Sequence, residues 1–322
     1  MIRIGNREFG QVFLAPMAGV TDRAFRVICR NLGADLTSCE MVSAAALGFN
    51  NQKTLDMLKI EEDEKPCSLQ LFGSDPLVLA KAAERITERT NADILDLNFG
   101  CPAQKIVKNG EGSALMQNPA LAERIVREVV NASRLPVTVK IRRGYKGSDN
   151  AAEIAKIAEI AGAAAVTVHP RTREQLYSGK ADWAVIAAVR REVKIPVIGN
   201  GDIISPQSAK QMFEETNCGA VMVGRSAIGN PWIFRDIKAY LETGELLPPP
   251  DIPERIETAL YHLDLAVEDK GDYIGILESR RHLCAYIKGI AGAADAKMKI
   301  NNAETVNEIK EILWKLTTYC NR

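Results

Sequence analysis

Eight short runs of β-branched and other apolar residues recur along the first three quarters of the chain, each followed by a longer segment with helical periodicity. The segment from Leu121, for example, carries Ile125, Val126 and Val129 on one side, as a helix packed on a sheet requires. The runs predict strands at Val12–Ala15, Leu36–Ser38, Ser68–Phe72, Ile94–Asn98, Val137–Ile141, Ala165–His169, Val197–Asn200 and Ala220–Gly224. This rhythm favours an α/β fold of the (β/α)8 TIM-barrel class over a doubly wound parallel sheet.

Some of the intervening helices carry an explicit start signal, a capping residue followed by proline. It occurs at Asp75-Pro76, Asn118-Pro119, Ser205-Pro206 and Asn230-Pro231. A capping side chain accepts hydrogen bonds from the first free backbone N–H groups, and proline lacks the N–H that would be unpaired there. We therefore expect helices to begin at these four prolines.

Polar residues mark the ends of the predicted strands three to eight. They are Gln70, Asn98, Lys140, His169, Asn200 and Arg225. In a closed barrel the carboxyl ends of the strands converge on one mouth, where active sites are built. The pattern therefore predicts a single polar site at that mouth.

The alternating pattern stops after Glu245, at the proline-rich run 246–250, and only helical patterns follow. Such an interruption is typical of a domain boundary. We predict a catalytic barrel over residues 1–245 and a small helical bundle over 252–322, with joints at Gly271 and near Ala291-Gly292.

Composition limits the classes of protein to which the chain belongs. With 322 residues, 46% hydrophobic and 25% charged, it is predicted to be an ordinary soluble protein with a large core. The N-terminus shows no signal peptide, and no run of about 18 apolar residues suggests a membrane span. The seven cysteines form neither C-x-x-C pairs nor a metal-ligand cluster, so we expect a reducing, cytoplasmic location and no metal site.

The overall charge is zero, with 41 basic and 41 acidic residues, but its distribution is uneven. A basic cluster, defined as Arg280, Arg281, Lys288, Lys297 and Lys299, stands near a single acidic residue, Asp295. The cluster indicates either a polyanion-binding surface or a solvated helix face, and charge alone does not separate the two.

Cys101 lies on a tight turn directly after the predicted strand Ile94–Asn98. Gly100 before it relieves backbone strain and Pro102 after it fixes the direction in which the chain leaves. A lone cysteine is commonly a small core residue. The Gly-Cys-Pro context and Asn98 three residues earlier instead favour a thiol presented at the mouth of the barrel.

Two glycine-containing loops follow the last two strands, at 199–202 and at Gly224-Arg225. Backbone N–H groups of such loops approach ligands closely, and barrels often bind phosphate there. Either loop alone is compatible with a plain turn, but together with the charge of Arg225 they favour a phosphate site. Lys140, His169 and Gln70 alternate with apolar neighbours, so each needs a polar partner or ligand on the inward face.

Seven motifs of the chain resemble those of the tRNA-dihydrouridine synthase family, most closely its B-type bacterial branch. In order they are residues 15–22 (APMAGVTD), 98–102 (NFGCP), 112–115 (GSAL), 140–142 (KIR), 169–173 (HPRTR), 199–202 (GNGD) and 224–225 (GR). The similarity extends over almost the whole chain. It implies a flavin enzyme that reduces the C5=C6 bond of specific uridines in tRNA to 5,6-dihydrouridine.

The resemblance also implies roles for individual residues. FMN would be held by Pro16, Met17, Ala18, Gln70, Lys140, His169, Asn200, Gly201, Asp202, Gly224 and Arg225. NADPH would reduce the flavin, hydride would pass to C6 of the uracil, and Cys101 would protonate C5. Asn98, Arg142 and Arg171 would contact the uracil, and Arg280, Arg281 and Lys288 would contact the tRNA.

The uridine must leave the RNA stack to enter the mouth, at a cost of a few kcal/mol. The helical tail is expected to offset that cost by binding the tRNA. The sequence departs from the family at Ala285, where tryptophan is common, and at Pro170, where glycine is more usual. We expect a monomer with no obligate protein partner. Two alternatives remain: a flavin barrel acting on a free pyrimidine, and an RNA-binding protein that retains the barrel only as a scaffold.

Overall fold

A computed structural model describes residues 1–49, 51–147 and 149–317 of the chain. Its central feature is a parallel eight-stranded barrel. The strands are β3 (Val12–Leu14), β4 (Thr37–Ser43), β5 (Cys67–Phe72), β6 (Ile94–Phe99), β7 (Val137–Arg142), β8 (Ala165–His169), β9 (Val197–Asn200) and β10 (Ala220–Val223). All eight predicted strands are present. Only β4 is much longer than predicted, because it continues past a bulge between Ser38 and Met41.

Strand order decides between the two predicted folds. The sheet runs β3-β10-β9-β8-β7-β6-β5-β4, so each strand pairs with its sequence neighbour and β10 returns to β3. A parallel bridge between Phe13 and Leu36, with the N–H of Leu14 donating to the carbonyl of Leu36 at 2.9 Å, joins β3 to β4. The ring is therefore closed, and the TIM-barrel prediction is confirmed.

A short antiparallel hairpin precedes the barrel and was not predicted. Its strands are β1 (Ile2–Ile4) and β2 (Arg7–Phe9), paired so that Ile2 lies opposite Phe9. Their buried apolar side chains pack with the first residues of barrel strands, including Ile94 and Ala220. The hairpin thus covers the amino-terminal end of the barrel.

Helices surround the barrel on its outside. They are α1 (Arg23–Asn31), α2 (Ala44–Gly48), α3 (Gln52–Asp56), α4 (Pro76–Arg89), α5 (Gln104–Val107), α6 (Pro119–Ala132), α7 (Ala151–Ile160), α8 (Ala184–Glu192), α9 (Pro206–Thr216) and α10 (Ile233–Thr243).

Three of the four predicted helix starts are confirmed, because the side chains of Asp75, Asn118 and Ser205 cap α4, α6 and α9. The prediction at Pro231 was wrong. A turn in which the N–H of Ile233 donates to the carbonyl of Asn230 at 3.2 Å delays α10 by two residues.

The tail is helical throughout its described part, as predicted. It consists of α11 (Ile252–Tyr286), α12 (Ala293–Asn302) and α13 (Val306–Thr317), and residues 318–322 of the predicted tail lie outside the described residues. Gly271, with φ 74° and ψ 167°, kinks α11, and Gly292, with φ 80°, caps α12. Both predicted joints are therefore present. Apolar residues of α11 pack on α1, so the tail rests against the barrel.

Within the described ranges, no helix has both the length and the apolar character of a membrane span. The same residues contain no group of three or more histidine, cysteine, aspartate or glutamate side chains placed to hold a metal ion.

Candidate functional site

A cavity of about 970 Å³ opens at the carboxyl ends of the barrel strands. Most of the residues predicted for the site line it: Pro16, Met17, Ala18, Gln70, Asn98, Cys101, Lys140, Arg142, His169, Asn200, Gly201, Asp202, Gly224, Arg225 and Arg281. Arg171, Arg280 and Lys288 do not. The structure therefore brings most of the predicted residues together around one cavity, and their roles there stay predictions.

Cys101 follows β6 and lies on the wall of this cavity with its side chain partly exposed. The Oδ1 atom of Asn98 accepts hydrogen bonds from the backbone N–H groups of Gly100, at 3.1 Å, and Cys101, at 2.8 Å. The carbonyl of Cys101 in turn accepts from the hydroxyl of Ser113 at 2.9 Å. Local bonds on both sides of the thiol therefore fix a turn that presents it to the cavity rather than to the core.

Gly112 is required by the same turn. It has φ 60°, and a Cβ atom there would lie 2.8 Å from the carbonyl oxygen of Cys101. A side chain at this position would therefore push on the backbone that holds the cysteine.

Behind Cys101, a chain of hydrogen bonds crosses three neighbouring strands. The carboxylate of Asp96 accepts from the hydroxyl of Thr138 and from Nε2 of Gln70, both at 2.6 Å. The Oε1 atom of Gln70 accepts from Nδ2 of Asn98 at 2.7 Å. Asp96 was not predicted as a site residue. Its position two residues before Asn98, on the same face of β6, was the signal available in the sequence.

Lys140 extends from β7 into the cavity and donates to Oδ1 of Asn200 at 3.1 Å. Burial, with a smaller contribution from the charge of Arg142, lowers the pKa of Lys140 to about 8. The ammonium is therefore short of a compensating anion, as a residue that receives a polar ligand would be.

His169 lies in the same basic surroundings. Burial is the main cause that lowers its pKa far below the usual value, and the charges of Lys140, Arg142, Arg171 and Arg225 add to the effect. Its imidazole is neutral near pH 7. Four cations around one side of the cavity create a field that suits an anionic group such as a phosphate.

The loops after β9 and β10 supply the predicted glycines. Gly201 has φ 116°, and a Cβ atom there would lie 2.9 Å from the ring of His169, so only glycine fits. Arg225 places its guanidinium carbon 4.3 Å from the ring centroid of Tyr177 and a terminal nitrogen 3.8 Å from Asp202. Tyr177 was not predicted, because it lies in an irregular loop without a sequence motif.

Arg171 is buried, and its guanidinium is engaged by the protein itself. It donates to both carboxylate oxygens of Asp202, at 2.7 and 2.9 Å, and to the carbonyls of Ser178 and Gly179. The structure thus shows Arg171 ordering the loop that carries Tyr177. Its contact with uracil stays a prediction.

Arg142 has a similar scaffold role but also faces the cavity. It donates to the carbonyls of Gly100 at 2.8 Å, Thr172 at 2.9 Å and Leu176 at 3.0 Å. Burial is the main cause that lowers its pKa to about 10. It therefore joins the Cys101 turn to the loop after β8.

The tail contributes to the mouth through α11. Arg281 lines the cavity, whereas Lys288 is exposed away from its lining and Arg280 donates to the carbonyl of Ala303 at 2.8 Å. Lys270 forms ion pairs with Asp22 and, at 2.8 Å, with Glu278. The tail is thereby bound to the motif 15–22 at the edge of the cavity.

Comparison with known proteins agrees with this architecture. The family model described as "Dihydrouridine synthase (Dus)" matches residues 13–319. The chain is 42% identical to a "tRNA-dihydrouridine synthase B" of Pseudomonas aeruginosa, over 94% of this chain and 92% of that protein. It is 43% identical to the protein of the same description in Xanthomonas axonopodis pv. citri, over 92% of this chain and 89% of that protein.

Solved structures support the fold. A histamine dehydrogenase from Rhizobium sp. 4-9 superposes with a TM-score of 0.58 at 13% identity, over 82% of this chain. A 6-hydroxypseudooxynicotine amine oxidase from Pseudomonas geniculata superposes with a TM-score of 0.60 at 13% identity, over 75% of this chain. The chain spans about half the length of each of these two proteins, 50% and 49% respectively. The extent of the family match and the identity to these relatives lead to one conclusion: the chain belongs to the dihydrouridine synthase family.

Proposed function

We propose that this protein reduces the C5=C6 bond of uridines in tRNA to 5,6-dihydrouridine, using FMN as bound cofactor and NADPH as reductant. The observation that carries the proposal is the position of Cys101. Its thiol lines the same cavity as Lys140, Arg142 and Arg225, in a chain 42% identical to a "tRNA-dihydrouridine synthase B".

The cavity fits a flavin nucleotide. His169 and Asn200 offer polar groups and Arg225 offers positive charge for a phosphate, and glycine at 201 keeps the approach open. Gln70 and Lys140 add polar groups suited to the edge of a heterocyclic ring. Pro16, Met17 and Ala18 provide an apolar surface on which such a ring can lie.

When bound, FMN would supply the hydride for C6 of the uracil, and NADPH would be its reductant. Cys101 supplies the proton for C5, so its thiol must be held close to that carbon and in a fixed direction. The bonds of Asn98 and Ser113 to the Cys101 backbone provide this fixation.

Arg281 favours a polynucleotide over a free pyrimidine, because it brings a tail cation to the edge of the same cavity. A uridine that has left the stack would still be attached to phosphates, and these would lie where the tail meets the barrel. We propose tRNA as the substrate, and a monomer acting in the cytoplasm.

The test is to purify the protein, identify the released flavin by mass spectrometry, and map dihydrouridine in tRNA from a deletion strain. We expect a yellow protein that carries FMN, and loss of dihydrouridine at defined positions that the restored gene returns. A colourless protein that FMN does not reconstitute, or an unchanged tRNA, would refute the proposal.

A further inference from the structure

The hydrogen bonds that link Asn98, Gln70 and Asp96 behind Cys101 all run the same way from donor to acceptor. The groups at the two ends of this chain both require that direction. At one end a carboxyl oxygen of Asp96 accepts, so the Gln70 amide points its nitrogen at it. At the other end two backbone N–H groups can only donate, so the Asn98 amide must point its oxygen at them. The bond between the two amides satisfies both requirements, since Nδ2 of Asn98 donates to Oε1 of Gln70 at 2.7 Å.

We infer that Asp96 is a positioning residue: through Gln70 and Asn98, its carboxylate fixes the direction in which the Cys101 turn presents the thiol. This inference rests on the proposed function, in which Cys101 supplies the proton. Asp96 itself does not line the cavity and does not touch the reacting atoms.

Burial makes this arrangement rigid. Asp96, Gln70 and Asn98 are 6%, 1% and 9% exposed, so water does not readily replace a missing partner. Burial is also the main cause that raises the pKa of Asp96, opposed by the bonds from Thr138 and Gln70 and by the charge of Lys140. A buried carboxylate is costly to maintain, and in this site its bonds lead to the Cys101 turn.

The substitution Asp96→Ala removes the acceptor at this end of the chain. Nε2 of Gln70 then has no acceptor at position 96, and the Gln70 and Asn98 amides are held in their direction only from the end at Gly100 and Cys101. We expect dihydrouridine formation to fall about 10- to 100-fold, and the rate at which iodoacetamide alkylates Cys101 to change.

The matched variant Asp96→Asn keeps the acceptor with almost no change of volume. Its Oδ1 atom can accept from Gln70 while its Nδ2 atom donates to the Thr138 hydroxyl, because a hydroxyl can accept as well as donate. We therefore expect this variant to show Cys101 alkylation and dihydrouridine formation close to the wild-type rates.

Alkylation is followed by mass spectrometry of the Cys101 peptide, and thermal melting is measured for each variant. Wild-type alkylation and activity in Asp96→Ala would overturn the inference. So would an Asp96→Asn variant that behaves like Asp96→Ala or does not fold, because the negative charge and not the acceptor at position 96 would then matter. If Asp96→Ala does not fold but Asp96→Asn folds and reacts as the wild type does, the inference stands.

The same measurements separate the inference about Asp96 from the proposed function. A wild-type protein that is inactive on tRNA would refute the proposed function. Alkylation of Cys101 in the three proteins would still decide whether the carboxylate sets the direction of the turn.

Discussion

His282 of α11 donates through Nε2 to the backbone carbonyl of Val20, at 3.1 Å, and so binds the tail to the cavity-lining motif 15–22. The ring packs against that of His262, with 4.5 Å between centroids and a tilt of 33°, and His262 is hydrogen-bonded through Nδ1 to the hydroxyl of Tyr286. Both histidines are fully or almost fully buried. The contact between barrel and tail therefore contains two imidazoles that must stay neutral.

This contact predicts that the protein loses stability in mild acid. Burial is the main cause that lowers the pKa of His262 to about 3 and that of His282 to about 4. In the unfolded chain both titrate near 6.5, so below that pH the unfolded state binds protons that the folded state does not. The stabilisation is complete above about pH 6.5 and is lost as the pH falls towards 4, by up to about 1.4 kcal/mol per pH unit for each histidine.

Thermal unfolding between pH 7.5 and 4.5 measures this loss. His282→Asn keeps a side-chain donor for Val20 but does not titrate in this range, so we expect a shallower decline of the melting temperature than in the wild type. An equally steep decline in the variant would assign the acid sensitivity to other groups.

Arg225 is predicted to hold the cofactor phosphate. Arg225→Ala removes a charge-assisted bond worth about 1.5 to 3 kcal/mol, so FMN affinity should fall about 10- to 150-fold. Fluorescence titration of the flavin-free protein with FMN measures the effect. The control is Arg127→Ala on α6, where an exposed arginine pairs with Glu123 of its own helix. Equal affinities in the two variants would place the phosphate elsewhere.

Cys101→Ala should separate the two half-reactions, the reduction of the flavin by NADPH and the reduction of the uracil. Because the thiol acts only on the uracil, the variant is expected to keep its FMN and to be reduced by NADPH at the wild-type rate. Dihydrouridine formation should fall by about two to four orders of magnitude. Stopped-flow absorbance follows flavin reduction, and mass spectrometry follows the tRNA product. Near wild-type product formation would show that another group is the acid.

The tail is predicted to be the principal tRNA-binding surface. Replacing Arg281 and Lys288 by alanine should weaken tRNA binding, and each cation that no longer neutralises a phosphate should lower the salt slope by about 0.7 to 0.9 units. Arg280 is left in place because it also holds the carbonyl of Ala303. Flavin content should not change.

Filter binding at several salt concentrations measures this effect. The matched control replaces two exposed cations at the opposite end of the barrel, Arg191 in the last turn of α8 and Lys194 in the loop before β9. The same salt slope in both double variants would mean that the basic cluster is only a solvated helix face.

The sequence predicted the barrel well because its signals are local. Strand runs, capping residues and the Gly-Cys-Pro turn each depend on a few neighbouring residues. The hairpin β1–β2 was missed because strands of three residues are too short to show a period. Asp96 and Tyr177 were missed for another reason: their contacts depend on strand register and on the loop ordered by Arg171, which connect residues far apart in sequence.

The hairpin at the amino-terminal end of the barrel has a kinetic consequence. Ile2, Ile4 and Phe9 fill that end with apolar side chains, so the described cavity is reached from the opposite mouth. NADPH and tRNA would then compete for the same opening of the cavity. Turnover is thus expected to follow a ping-pong scheme, in which the oxidised donor departs before the RNA arrives and each substrate in excess inhibits the other half-reaction.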